Sequence, residues 1–266
     1  MRILRAIAPA FLLLALTLHT AELLAQSVPV RFREGTVHGF LALRSQDGKL
    51  LASGDLFQTV ARVGVSARLV FRFKDGSIDD DQALFTQRGS FRLLTDHHVQ
   101  SGPSFPKPMD MTIDVATGKV TVRGKEKEDS PEKEETTNLD LPRDLANGIL
   151  FTILKNIPAN ASSIRFGFVA ATPKPRLVQL NVTREGHATF SFAGEEHKAT
   201  RFRIKIDLGG VTGTVAKIVG KQPPDINIWM LEGKVPAFLR MEGALFESGP
   251  MWTIELSAPT DFKPES

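Results

Sequence analysis

The stretch "TDHHVQSGPSFPKP" places Asp96, His97, His98, Ser101 and Ser104 close together, supplying the side-chain types of a nucleophile, its base and the acid that orients the base. Such a set works only when a scaffold brings hydroxyl, imidazole and carboxylate into line. Adjacent residues of an extended chain point to opposite faces, so His97 and His98 cannot both serve one site. "SGPS" lacks the Gly-x-Ser-x-Gly elbow that presents a serine between a strand and a helix. Gly102, Pro103, Pro106 and Pro108 read instead as a shaped loop. A hydrolase using His97 or His98 with Ser101 or Ser104 is one expectation that geometry must decide.

A second polar run, "KDGSIDDDQ", offers the carboxylates of Asp75, Asp79, Asp80 and Asp81. Calcium takes oxygen ligands of this kind, but the spacing departs from the Asp-x-Asp-x-Asp-Gly loop with its distal Glu, and the run reads as an acidic turn. The six His residues show no His-x-His or His-Glu-x-x-His spacing and there are 0 Cys, which leaves no zinc signature. No phosphate loop or dinucleotide fingerprint is present. The motifs therefore imply no catalytic set, no metal and no cofactor.

The elements that must position these residues are mostly strands. In "RLVFRFK", Leu69, Phe71 and Phe73 alternate with Arg68, Arg72 and Lys74, the pattern of a half-buried strand. The same period recurs in "DMTIDV", "KVTVRG", "LVQLNVT", "ATFSFAG", "TRFRIKID", "DINIWML" and "MWTIELS". Gly beside polar residues in "KDGS", "ATGK", "TREGHA" and "AGEEH" marks tight connections between them. One-sided alternation joined by hairpins is antiparallel sheet. Roughly ten to twelve strands are too many for a flat sheet, so a strongly curved sheet or incomplete barrel is expected.

One segment breaks the pattern. In "LDLPRDLANGILFTILKNIP", Leu141, Leu145, Ile149 and Ile153 recur every four residues, with Ala146, Leu150 and Leu154 beside them. Asp140 and Pro142 suit a helix start and Asn156 to Pro158 its end, so a helix is expected over 140–156. Its broad apolar face requires a buried seat, and the concave side of the sheet provides one. Gly148 costs such a helix about 1 kcal/mol relative to Ala and marks close packing or a bend. Before it, the mixed charges of 123–137 read as a flexible loop.

Composition narrows the function. Arg2 and Arg5, an apolar run from Ile7 to Leu18 and "HTAELLAQS" have the layout of an export signal, expected to span 1–25 and to leave one β-rich domain over 26–266. The run is short for a membrane span, so no transmembrane anchor is expected after its removal, and the location is periplasmic or extracellular. The net charge of +3 falls by one without Arg2, Arg5 and Glu22, too little to argue for nucleic acid. The aromatic set is 18 Phe, 2 Trp and 0 Tyr, which points inward because Phe has no polar handle.

Three blocks carry a resemblance: "FKDGSIDDDQALFTQRGSFRLLTDHHVQSGPSFPKPMDMTIDVATGKV", "LDLPRDLANGILFTILKNIP" and "GKQPPDINIWMLEGKVPAFLRMEGALFESGPMWTIELSAP". Together they resemble a set of uncharacterised exported proteins of environmental bacteria, a likeness that implies no activity. A curled antiparallel sheet with a helix on its concave face is also similar in architecture to the periplasmic lipoprotein carriers of the Lol type. That analogy implies an apolar cargo and transfers no residues.

The resulting expectation is a non-enzymatic envelope protein that binds a lipid or other apolar molecule. Phe71, Phe73, Phe190, Phe192, Phe202 and Trp229 would line its wall, and Ile149, Leu150, Ile153 and Leu154 would plug it. The rival is a structural or protein-interaction module with an envelope partner and an interior that is simply full.

Overall fold

Alternation along Val65–Phe73 is realised as a strand that buries Val65, Ala67, Phe71 and Phe73 and exposes Ser66, Arg68 and Arg72. The computed structural model describes residues 27–125, 130–172, 174–192, 195–209 and 223–257. The expected leader at 1–25 lies outside them.

Among the described residues the chain runs through β1 (Val37–Ser45), β2 (Leu50–Val60), β3 (Val65–Phe73), β4 (Ile78–Arg88), β5 (Ser90–Ser101), β6 (Met109–Asp114), β7 (Lys119–Gly124) and β8 (Lys133–Asn138). The helix α1 (Leu150–Asn156) follows. Then come β9 (Ser163–Ala170), β10 (Arg176–Phe192), β11 (Glu195–Asp207), β12 (Ile226–Leu231), β13 (Ala237–Gly243) and β14 (Trp252–Leu256). All fourteen strands form one antiparallel sheet in the order β8-β7-β6-β5-β4-β3-β2-β1-β14-β13-β12-β11-β10-β9. Each half is a meander of sequential neighbours, and β1 joins the halves by pairing Leu41 to Leu256 and Ser45 to Trp252. The sheet is not closed, because β8 and β9 do not pair with each other.

The expected fold class is observed: mainly β, curved and incomplete, with the helix on the inner face. Inward placement follows from what the helical segment touches. Gly148 lies over Ala83, Asp81 and Asp96 of β4 and β5, Gly167 of β9 packs against Pro142 and Leu145, and the Phe151 ring meets Phe238 of β13 at 4.4 Å. Strands so far apart in the sheet can share one short segment only from the concave side. Ile149, Ile153 and Leu154 join Phe71, Phe73, Phe85, Phe105, Phe166, Phe202 and Ile254 in one continuous core. Burying each of the larger side chains stabilises the fold by roughly 1.5–3 kcal/mol. Gly54 on β2 makes room for one of them, since a methyl there would overlap the Phe71 ring.

Three local expectations are corrected. The helix is seven residues long rather than spanning 140–156. Gly148 has φ +62°, and residues 145–147 are occupied at the edge of β9: Leu145 forms a parallel bridge with Gly167, and the Ala146 N–H donates to the Gly167 carbonyl at 2.9 Å. Pairing with an edge strand and a left-handed residue both exclude helix there, so Asp140 and Pro142 cap nothing. The segment 123–137 is not all loop either, because Lys133–Asn138 forms β8 along β7. Finally "TREGHA" is a bulge inside β10, not a turn: pairing with β11 shifts between Arg184 and His187 and then resumes, with Gly186 at φ 97°.

Candidate functional site

Strand period decides which polar side chains of β4 and β5 enter the interior. On β4, Ala83 and Phe85 belong to the core, so Asp81 and Asp79, two and four residues earlier, share their face. On β5 a register shift opposite Leu84 and Phe85 moves the inward set from Phe91 and Leu93 to Asp96, His98 and Gln100. Asp81 stands opposite His98, Asp79 opposite Gln100 and Ala83 opposite Asp96. Five polar side chains thus form an island on an apolar wall.

Part of the island is fully bonded. His98 Nε2 lies 2.6 Å from Asp79 Oδ1, while Gln100 Nε2 donates to Asp79 Oδ1 at 3.1 Å and to the Leu245 carbonyl at 3.0 Å. Burial alone would lower the His98 pKa, but the hydrogen bond and charge of Asp79, with Asp81 and Asp96 behind it, outweigh burial and hold it up at about 9. His98 is therefore an imidazolium at neutral pH, paired with Asp79.

The other part is not. Asp81 Oδ1 and Asp96 Oδ1 are sealed from solvent without a hydrogen-bond partner among the described residues. Carboxylate oxygens only accept, so two of them side by side bond each other only if a proton lies between. Desolvation pushes the affinity of both carboxyls for that proton upward, well above the usual carboxylate range at Asp96, where the Asp81 charge adds to the effect. Gly148 covers the pair. A methyl there would overlap Asp96 Oδ1 and stand 2.6 Å from Ala83 Cβ and 3.3 Å from Asp81 Oδ1. Among the described residues no group of three or more His, Cys, Asp or Glu is arranged to hold a metal ion.

The anticipated triad is not assembled. His97 faces outward to Asp110 at 3.0 Å, and Ser104 Oγ donates to Asp75 Oδ2 at 2.7 Å. Ser101 pairs with Ile78 at the end of the β4–β5 ladder. Each imidazole has a carboxylate where a serine would have to be, which leaves the hydrolase reading without a nucleophile and base. Nor is "KDGSIDDDQ" a single acidic turn: Asp75 accepts from the Ser77 N–H, Asp80 pairs outward with Arg68, and Asp79 and Asp81 turn inward.

The expected wall residues separate. Phe71, Phe73 and Phe202 lie in the core with Ile149, Ile153 and Leu154, and Leu150 packs against it. Trp229 sits between the core residues Ile228 and Met230 and so faces the opposite side of the sheet, where the Phe190 ring stands at 6.2 Å and the guanidiniums of Arg201 and Arg240 at 5.6 and 5.8 Å. Phe192 ends β10. A hollow of about 360 Å³ is lined by Ser27, Val28, Pro29, Pro158, Asn160, Ala161 and Ile164, none of them candidate wall or plug residues. A second crevice, which Phe202 lines with Ile157, Val182 and Arg184, is too narrow for water.

Sequence reading weighed Asp96 and His98 only as triad members and missed the inward roles of Asp79, Asp81 and Gln100. The available signal was the run Asp79, Asp81, Ala83, Phe85 at every second residue, which carries the acids onto the apolar face.

No protein-family model matches the chain, and no curated protein matches it. Among solved structures it is similar to the crystal structure of a β-barrel-like protein of domain of unknown function DUF1849 from Brucella abortus, at 9% sequence identity and a TM-score of 0.44, over 84% of this chain and 98% of that one.

Proposed function

We propose that this is an exported, non-enzymatic β scaffold that works through its surfaces, its incomplete barrel being filled by its own side chains. The observation that supports this reading is the interior itself: Phe71 and Phe166 are 1% exposed, Phe85 0% and Phe105 2%, and α1 occupies the space a ligand would need. A ligand pocket of the usual size is a preformed cleft of roughly 300–1,000 Å³ lined by apolar side chains. The 360 Å³ hollow lies beside Ser27 and Pro158, away from the Phe-rich wall. Export rests on the N-terminal layout of charge, apolar run and small residues.

Native mass spectrometry of protein taken from its own envelope, beside a denatured control, tests the reading. The expected result is the bare chain mass and no uptake of a fluorescent fatty acid. One lipid per chain, released on denaturation, would overturn it.

Carriage of a lipid or other apolar molecule is the second reading, and one observation favours it. The plug is short, and its N-terminal end rests on two carboxyl oxygens that have no hydrogen-bond partner among the described residues. Displacing it would uncover Ile149, Leu150, Ile153 and Leu154 together with Phe71, Phe73 and Phe202.

A further inference from the structure

We propose that Asp81 and Asp96 form a proton-operated latch: one shared proton seats the segment around Gly148 on the sheet, and its loss releases that segment. The inference depends on neither reading above, since it concerns how the interior is closed rather than what it meets.

Three features of the geometry carry it. First, the two Oδ1 atoms come from adjacent strands, are buried together and have no other partner among the described residues. With one proton they form a hydrogen bond; with none they are two negative charges in contact. Second, the covering group is glycine backbone. Gly148 brings no side chain, the Asn147 amide is committed to Val169 through bonds of 2.8 and 3.0 Å, and Ile149 begins α1 without a side-chain cap. Nothing in the plug replaces the proton with another cation. Third, the charged neighbours are fixed. Asp79 and His98 face the pair from β4 and β5, and Asp80, on the outer face of β4, is engaged by Arg68. The loop after β13 contributes the Leu245 carbonyl, held by Gln100. With one imidazolium facing three carboxylates, a proton kept by the Asp81–Asp96 pair cuts the net charge of the group from −2 to −1, and the pair shares a single negative charge.

The sign follows from linkage. A carboxyl whose affinity for its proton is raised by burial keeps that proton when seated and gives it up when uncovered. Its contribution to seating is complete below the ordinary Asp pKa of about 3.9 and is lost as pH rises through the raised value. His98 is bonded to Asp79 within the sheet, and its pKa, raised to about 9, keeps it charged in the seated state across the range tested. Across the window in which the seated pair keeps its proton and the uncovered pair does not, each pH unit weakens seating by up to about tenfold, the limit for release of one proton.

Amide hydrogen exchange of residues 145–157 in the full chain, corrected for intrinsic rates, tests the latch between pH 5 and 8. The wild type should lose protection as pH rises. Asp96→Asn, whose amide can donate to Asp81 without a titrating proton, should flatten that slope and give about tenfold or more protection over wild type at the upper end. Asp110→Asn, on the outer face beside His97, should leave the slope unchanged. A flat wild-type profile, or a full slope retained in Asp96→Asn, overturns the proposal. Should that variant not fold, carbon-13 NMR of the aspartate carboxyls in the wild type decides the matter. A protonated Asp81–Asp96 pair at pH 6 supports the latch, and two ionised carboxylates refute it.

Discussion

The two ends of the plug are held by opposite kinds of chemistry. At its C-terminal end the buried polar side chains of α1 are matched. Asn156, 0% exposed, accepts the Arg31 and Phe32 N–H groups at 2.9 and 2.7 Å and donates to the Thr152 carbonyl at 2.9 Å. Lys155 pairs with Glu34 at 2.7 Å, and Glu34 is tied through its backbone to Gln87 of β4. The segment preceding β1 thus straps the end of α1 to the β4–β5 hairpin. At the N-terminal end the bonds to β9 stop at Asn147, and beyond it an uncapped Ile149 follows a left-handed glycine on a pair of carboxyls. Satisfied polar groups fix a structure, and unsatisfied ones leave it responsive. The contrast assigns rigidity to one end and the capacity to move to the other.

Substitutions sharpen the contrast in a definite order. Asn156→Ala removes three hydrogen bonds, one of them buried, and leaves two part-buried N–H donors without their acceptor, so unfolding by urea should show a loss of about 4 kcal/mol. Gly148→Ala imposes a left-handed alanine and a clash with Asp96 and Ala83. We expect about 3 kcal/mol, read as a lowered thermal midpoint, with loss of exchange protection concentrated in 145–150. If that loss were spread evenly over α1 and the strap, the two ends would not be independent. Glu34→Ala leaves Lys155 largely buried and unpaired, and about 2 kcal/mol should be lost in the same denaturation experiment. The smallest effect belongs outside: Arg68→Ala breaks an exposed pair with Asp80, and stability should move by less than about 1 kcal/mol.

How far the sequence disclosed this arrangement depended on which physical constraint acted. Strands such as Val65–Phe73 were legible because each alternates alone, without reference to partners. The inward seat of the plug was legible too, since its apolar residues had nowhere else to go. Its helical length was not, because Leu145, Ala146 and Asn147 are drawn to the open edge of β9, a tertiary pull that a periodicity of four does not reveal. Trp229 and Phe190 show the same limit: an aromatic ring on the outer face, covered by Arg201 and Arg240, looks identical in sequence to one in the core. The island of Asp79, Asp81, Asp96, His98 and Gln100 depended on a register shift between Leu84 and Phe85, and a one-residue slip changes which side chains face inward.

The pairing of β1 with β14 bears on how the molecule is made. Each half of the sheet is built from neighbours in sequence, which associate quickly. The junction between them, with Leu41 facing Leu256 and Arg44 bound to Glu255 at 2.7 Å, brings together residues separated by about four fifths of the chain. Assembly therefore divides into two fast local events and one slow encounter. Until that encounter occurs, both halves show unpaired edges and half a greasy core to their surroundings, the state in which a newly made chain is most prone to aggregate.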